Sequence, residues 1–184
     1  MNIRINARAL AALVTSLALA APAAAAPGPP LPVLGSPTGL SAGAFFPTSG
    51  AAKAGGSTQL DIEFRYAIPL PNPTPLLPVV GLGVETGSRS GNRSTVVPLT
   101  AGLLVGLNGL SPNAGGSIFA GGGVGVYFLN HHRSGSGLNQ LGTSTRFGGY
   151  GELGYNLTGL VFVDAKYQIV DRANGVSASV GLRF

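Results

Sequence analysis

The sequence predicts an all-β fold: an eight-stranded antiparallel up-and-down transmembrane β-barrel, apolar outside and polar inside. Three observations lead to this prediction. Only 9% of the 184 residues are charged and 45% are hydrophobic, whereas a soluble domain carries roughly 25–35% charged residues on its surface. Beyond the N-terminal segment, no stretch has the ~20 successive apolar residues of a membrane-spanning helix. Instead, apolar and polar residues alternate with period two in many short stretches.

The alternation divides the chain into eight predicted strands. It is most regular in Gln59–Ile68, Val161–Val170 and Val176–Phe184. Weaker alternation predicts five more strands, at Thr38–Pro47, Val79–Ser88, Thr95–Leu107, Ser117–Leu129 and Ser144–Asn156. The number is even, and the lengths are near the ~9–11 residues that a tilted strand needs to cross a bilayer.

Charged residues of these strands share the face opposite to the apolar one. They are Asp61, Glu63, Arg65, Glu85, Arg146, Glu152, Asp164, Lys166 and Arg183. So few charges would make a sparse exterior for water, but opposite charges inside a narrow barrel can pair. The same face is rich in glycine, which suits a crowded interior, since eight strands leave just enough room for side chains. We therefore predict a salt-bridged plug, with the lining of a selective channel as the alternative.

The N-terminal segment is typical of a secretory signal. Arg4 and Arg8 precede an apolar run, and small residues follow it. We predict a cleaved signal peptide at residues 1–25, a proline-rich linker at 26–37 and the barrel at 38–184. Removing the two leader arginines from the formal charge of +5 leaves +3. That charge is too scattered for nucleic acid. The chain has no Cys, which excludes disulfides and thiolate metal sites, and we expect no cofactor.

Two features resemble a known family. The chain ends in Phe184, and apolar residues precede it at alternate positions: Val176, Ala178, Val180 and Leu182. The segment Gly121–Tyr127 (GGGVGVY) is similar to a glycine-rich strand in the middle of that family's barrels. In these features residues 38–184 resemble the small outer-membrane β-barrel proteins of OmpA, OmpX and OmpW type. Leu182 departs from the family pattern, since many members have Tyr at that place.

The resemblance implies where the protein resides and what it meets. It implies the outer membrane of a Gram-negative bacterium, contact with its lipids and lipopolysaccharide, and a monomer. It also implies that periplasmic chaperones and the barrel assembly machinery handle the chain, the latter through the terminal signal that ends in Phe184. It implies little about function.

The predicted external loops carry most of the remaining positive charge. With both termini in the periplasm, these loops are residues 49–57, 87–94, 130–143 and 171–175. Their cations include Lys53, Arg89, Arg93, Arg133 and Arg172. Cations at a low-dielectric surface attract the phosphates of lipopolysaccharide, although the loops could also be merely polar. We expect a non-enzymatic structural or surface-binding role through the loops, with a narrow pore for small solutes as the alternative.

Asn130–Ser134 (NHHRS) is the one segment that suggests an enzyme. His132 and Ser134 share the outward face, and the His–x–Ser arrangement resembles part of the site of the lipid A deacylases. A serine nucleophile needs an imidazole base and an orienting acid, but the first acid downstream, Glu152, faces inward. We therefore expect no enzymatic activity. Two adjacent histidines without carboxylate or thiolate company are no metal site.

Overall fold

The computed structural model describes residues 37–49, 52–70, 76–133 and 140–184. Eight antiparallel strands pair in chain order, and the last closes on the first to complete a barrel. The strands are β1 (Thr38–Pro47), β2 (Gln59–Ala67), β3 (Leu76–Arg89), β4 (Asn92–Gly106), β5 (Ile118–Arg133), β6 (Gln140–Asn156), β7 (Val161–Val170) and β8 (Gly175–Arg183). The predicted fold is thus confirmed. The predicted signal peptide and all but the last residue of the linker lie outside the described residues.

The barrel is longer on one side than on the other. We name the end where β1 begins and β8 ends the proximal end, and the opposite end the distal end. Strands β3 to β6 have 14 to 17 residues, whereas the other four have 9 or 10. Pairing continues distally to Arg89↔Asn92 and Arg133↔Gln140. The distal ends of β3 to β6 therefore form a wing that rises above the distal end of the other strands.

Two of the predicted external loops are shorter than expected. Strands β3 and β4 join through Ser90 and Gly91, whose φ angles of 50° and 82° fit a two-residue type I′ hairpin. The predicted loop at 87–94 was therefore wrong, because most of it is strand. The predicted loop at 130–143 was also too long, since β5 continues to Arg133 and β6 begins at Gln140. Outward side chains of the wing are polar, so the alternation on which the prediction depended disappears there.

Side chains of the barrel wall divide as the alternation predicts. Outward residues are apolar and exposed, for example Leu82 at 52%, Leu99 at 50% and Ile169 at 61%. Alternate inward positions are buried and include charged residues such as Glu85 at 3% and Glu152 at 6%. An apolar outside and a polar inside suit a surrounding medium of hydrocarbon. Within the described residues, no helix is long and apolar enough to cross a membrane.

The interior has a polar middle between two apolar layers. The proximal layer contains Ala67, Val79, Leu104, Phe119 and Phe162. The distal layer contains Val96, Tyr127, Leu129, Val170 and Ala173. A 3-10 helix, η1 (Ala52–Gly55), folds over the distal mouth, where the fully buried Ala52 accepts a hydrogen bond from Gln59 Nε2 at 2.6 Å. Both ends of the lumen are therefore filled by side chains.

Inward glycines make room for inward aromatic rings. A Cβ at Gly181 would lie 2.1 Å from Cζ of Phe162, and one at Gly175 would lie 2.2 Å from the ring of Phe45. A Cβ at Gly154 would likewise meet the ring of Phe119 at 2.2 Å. Glycine in a strand often marks such a close approach. The rings fit into the narrow lumen because glycine on the neighbouring strand leaves space for them.

This packing predicts opposite outcomes for two glycine substitutions. Gly181→Ala should destabilise the barrel by about 1–3 kcal/mol, because the buried Phe162 ring must move. Gly151→Ala is the matched control: its Cβ points outward with only one atom near, at 3.9 Å, and should change stability by less than about 0.5 kcal/mol. Urea unfolding in detergent micelles measures both. Equal effects would contradict the inward packing of Phe162.

Candidate functional site

The middle of the lumen holds a cluster of ionisable side chains around Arg65. Because β2 alternates, Asp61, Glu63 and Arg65 all point inward. Arg65 Nη2 lies 2.8 Å from Glu152 Oε2, 3.2 Å from Asp164 Oδ2 and 3.4 Å from Glu63 Oε2. No side chain of this group is more than 9% exposed. One guanidinium thus contacts three buried carboxyl groups.

Further contacts connect this cluster across the barrel. Lys166 on β7 forms an ion pair with Glu63 on β2, and its Nζ lies 5.0 Å from the centre of the Tyr150 ring. Ser179 donates a hydrogen bond to Asp164. Strands β2 and β6 are four places apart in the closed sheet, so the Arg65–Glu152 ion pair spans the lumen. The cluster therefore braces opposite walls.

Other predicted lumen residues lie outside this cluster. Asp61 and Glu85 are direct partners on β2 and β3, and Gln168 Nε2 donates to Glu85 at 2.9 Å. Arg183 lies near the proximal end, where it donates to Asn156 and stands 4.7 Å from the centre of the Phe162 ring. Arg146 lies at the distal end, with its Nε 3.2 Å from Asp171. The nine predicted residues thus form one central cluster, the Asp61–Glu85 pair on β2 and β3, and separate contacts of Arg183 and Arg146 at the two ends.

Several neutral side chains also belong to the lumen and were not among the predicted site residues. Phe162 stands between two guanidinium groups, 5.8 Å from Arg65 and 4.7 Å from Arg183, which favours cation–π attraction. Gln168 and Asn156 are hydrogen-bonded to charged side chains. Each lies on the same face of its strand as the neighbouring charged residues, so the alternation could have identified it. Only charged residues were proposed as lumen site residues, so these neutral side chains were left out.

Basic residues surround the distal end, which we name the distal rim. It comprises Lys53 on η1, Arg89 at the end of β3, Arg93 on β4, and Arg172 between β7 and β8. All four are exposed. Asp171, also at this end, lies near both Arg146 and Arg172. Within the described part of the chain, Lys53, Arg89 and Arg93 form no ion pair, so the rim carries surplus positive charge. The side chain of Arg133 lies outside the described residues.

The two adjacent histidines face opposite sides of the wall. His131 points inward, and its Nδ1 lies 3.1 Å from Oγ of Ser94. Ser94 is completely buried, so this pair has no access to a substrate. His132 is on the outward face beside its strand partner Arg93. Ser134 lies outside the described residues. No group of three or more His, Cys, Asp or Glu side chains suited to a metal occurs in the ranges that the structure describes.

Comparison with known proteins identifies the fold. No protein-family profile and no curated protein sequence matches the chain. The crystal structure of Neisserial surface protein A (NspA) is similar, with a TM-score of 0.51 and 15% identity over 79% of this chain and 92% of that chain. The Yersinia pestis outer membrane protein Ail in a phospholipid bilayer nanodisc is similar, with a TM-score of 0.52 and 14% identity over 81% and 99%. The chain has the fold of the small eight-stranded outer-membrane barrels.

The central cluster predicts a large effect from one substitution. Arg65→Gln should destabilise the barrel by about 3–5 kcal/mol, because it leaves buried carboxylates without their counter-charge. Arg172→Gln, at a side chain 61% exposed, should change stability by less than about 1 kcal/mol. Urea unfolding measures both.

A double substitution tests the reason for that effect. Arg65→Gln combined with Glu152→Gln should be less destabilising than Arg65→Gln alone, because one stranded carboxylate becomes neutral. A double variant as unstable as the two single variants combined would show that the groups do not interact.

Proposed function

We propose that the protein is a non-enzymatic outer-membrane barrel that binds anionic groups at the cell surface. In this proposal a signal peptide at residues 1–25 is cleaved on export, the proximal end faces the periplasm and the distal end faces outward. The observation that carries the proposal is the distal rim, where Lys53 and Arg89 stand exposed without an acidic partner in the described chain and Arg172 adds a further exposed cation. The phosphate-bearing head of lipopolysaccharide suits such a rim, because opposite charges attract near a low-dielectric surface.

The filled lumen favours a surface role over a pore. Apolar layers occupy both ends, and the ion-pair cluster crosses the middle. A cavity at the proximal end, beside Arg65, Phe162 and Arg183, has a volume of only about 10 Å³. That volume accommodates about one water molecule. A continuous path for solutes would require several of these side chains to move together.

The histidines give little support to a hydrolase. The serine that contacts His131 is completely buried, and His132 has Arg93 rather than an acid as its strand partner. A serine hydrolase needs a reachable nucleophile and an acid that orients the imidazole. A surface-binding role requires neither.

Neutralising the rim tests the proposed function. The triple variant Lys53→Gln, Arg89→Gln and Arg172→Gln should bind deacylated lipopolysaccharide at least about tenfold more weakly, since each cation near an anionic surface contributes about 1 kcal/mol. The charge-preserving variant Lys53→Arg, Arg89→Lys and Arg172→Lys is the matched control and should keep binding. Titration of the barrel in phosphatidylcholine nanodiscs measures affinity. Unchanged affinity in the neutral variant would refute binding at these three cations.

The proposed assembly route depends on the C-terminal strand. Val176, Leu182 and Phe184 are exposed on the outer wall, and the backbone N–H of Phe184 donates to Thr38 at 3.0 Å beside the barrel closure. These residues are thus available on the face that an assembly factor would contact. The strand also makes the final seam with β1. We therefore include the barrel assembly machinery and periplasmic chaperones among the partners during biogenesis.

Substitution of the terminal residue tests this route. Phe184→Ala should lower the amount of folded protein in the outer membrane, while refolding of the purified variant into detergent stays near that of the parent chain. Leu182→Tyr, which supplies the residue that many members of the resembling family have, should assemble at least as well as the parent. Cell fractionation followed by electrophoresis measures assembly. Normal assembly of Phe184→Ala would contradict the signal.

A further inference from the structure

The outer wall of β3 to β6 carries an apolar groove below the wing. Its volume is about 600 Å³, and its lining includes Val80, Leu99, Ala101, Val124, Val126 and Phe147. Phe147 borders it with a side chain that is 83% exposed, the highest value among the exposed large hydrophobic residues of the described wall. Most outward side chains of the barrel form a continuous apolar surface. Here that surface is indented.

Strand register explains the indentation. One row across the wall runs Val80↔Ala101, Ala101↔Val124 and Val124↔Gly149. The next row towards the distal end runs Leu99↔Val126 and Val126↔Phe147. Ala101 and Gly149 project little or nothing, while Leu99 and Phe147 project fully. The groove therefore lies between large side chains, over small ones.

A cation stands above this groove on the same strands. Beyond Leu99, the outward face of β4 continues through Val97 and Thr95 to Arg93. Arg93 is exposed, pairs in register with His132 on β5, and forms no ion pair within the described ranges. Thr95 and its partner Asn130 lie between the groove and Arg93. The face is thus apolar in the middle, hydrogen-bonding above it and cationic at the top.

The spacing matches one leaflet of a membrane. Arg93 lies six positions from Leu99 on β4, which corresponds to a distance of about 20 Å along an antiparallel strand. At the tilt of about 35–45° typical of such barrels, this corresponds to roughly 15 Å along the membrane normal. Half of the ~30 Å hydrocarbon core has the same thickness. When the groove lies near the bilayer centre, Arg93 therefore lies at the level of the lipid headgroups.

We propose that the outer face of β4 to β6 is a binding site for one anionic membrane lipid of the distal leaflet. Its phosphate contacts Arg93 and the neighbouring His132, and one acyl chain occupies the groove beside Phe147. The proposal rests on the proposed membrane location but not on ligand binding at Lys53, Arg89 and Arg172. A second copy of the chain suits the face less well, because a two-fold contact through this wall brings the two Arg93 side chains together.

A tryptophan reporter tests the site directly. The chain has no Trp, so Phe147→Trp places a single fluorophore at the groove. The variant is reconstituted into phosphatidylcholine vesicles that contain phosphatidylglycerol or phosphatidylcholine with brominated acyl chains, which quench tryptophan on contact. Brominated phosphatidylglycerol should quench with about fivefold higher apparent affinity than brominated phosphatidylcholine. Ile62→Trp, outward on β2, is the matched control and should show no preference.

Each outcome decides the proposal. Adding Arg93→Gln to Phe147→Trp should abolish the preference. Equal quenching by the two lipids, or a preference that survives Arg93→Gln, overturns the site. Quenching by neither lipid, together with cross-linked dimers, would mean that a second copy covers the groove. If Phe147→Trp does not fold, Val124→Trp, at a side chain 69% exposed, replaces it. The titration with deacylated lipopolysaccharide uses a ligand without acyl chains, and the rim variants leave Arg93 and the groove unchanged, so either proposal can fail alone.

Discussion

The narrow interior of a closed eight-stranded sheet is the constraint on which the rest of this structure depends. Such a barrel has room for side chains but little else. A large inward side chain therefore needs a small residue beside it on the neighbouring strand. Rings of Phe45, Phe119 and Phe162 lie against glycines for this reason. Charged groups in so little space must find partners in the protein, because few waters can reach them. Arg65 and its three carboxylates satisfy that requirement across the lumen.

Because side chains fill the lumen, the outside of the barrel is the surface available for function. The lateral wall is apolar over most of its area, and only the wing continues beyond it with polar side chains. The outer face of β3 to β6 brings together an exposed cation, a hydrogen-bonding band and an apolar groove. The same strands thus form the apolar wall at one level and, in our proposal, a binding surface at another. Both proposed activities arise where the periodic pattern of the wall is interrupted.

The alternation of apolar and polar residues was sufficient to predict most of the fold. It was not sufficient to predict contacts that depend on the register of distant strands. The bounds of β7 were predicted to the residue, because its alternation is regular over the whole strand, and the bounds of β1 agree as well although its alternation is weaker. The predicted strands end too early in the wing, where polar side chains point outward and the alternation does not show that β3 to β6 continue. Parity also placed Arg65 and Glu152 on the inward face. That these two meet depends on the stagger of strands four places apart, which no local pattern contains.

The most direct test of the account is electrophoresis of the membrane-extracted protein in detergent, with and without boiling. A closed barrel with an apolar exterior should resist the detergent when unboiled and migrate as a compact species. Boiling should then convert it to the mobility of the unfolded chain, and the protein should fractionate with the outer membrane. Identical mobility in both samples, with the protein in the soluble periplasmic fraction, would contradict the closed membrane barrel and its polar, salt-bridged interior.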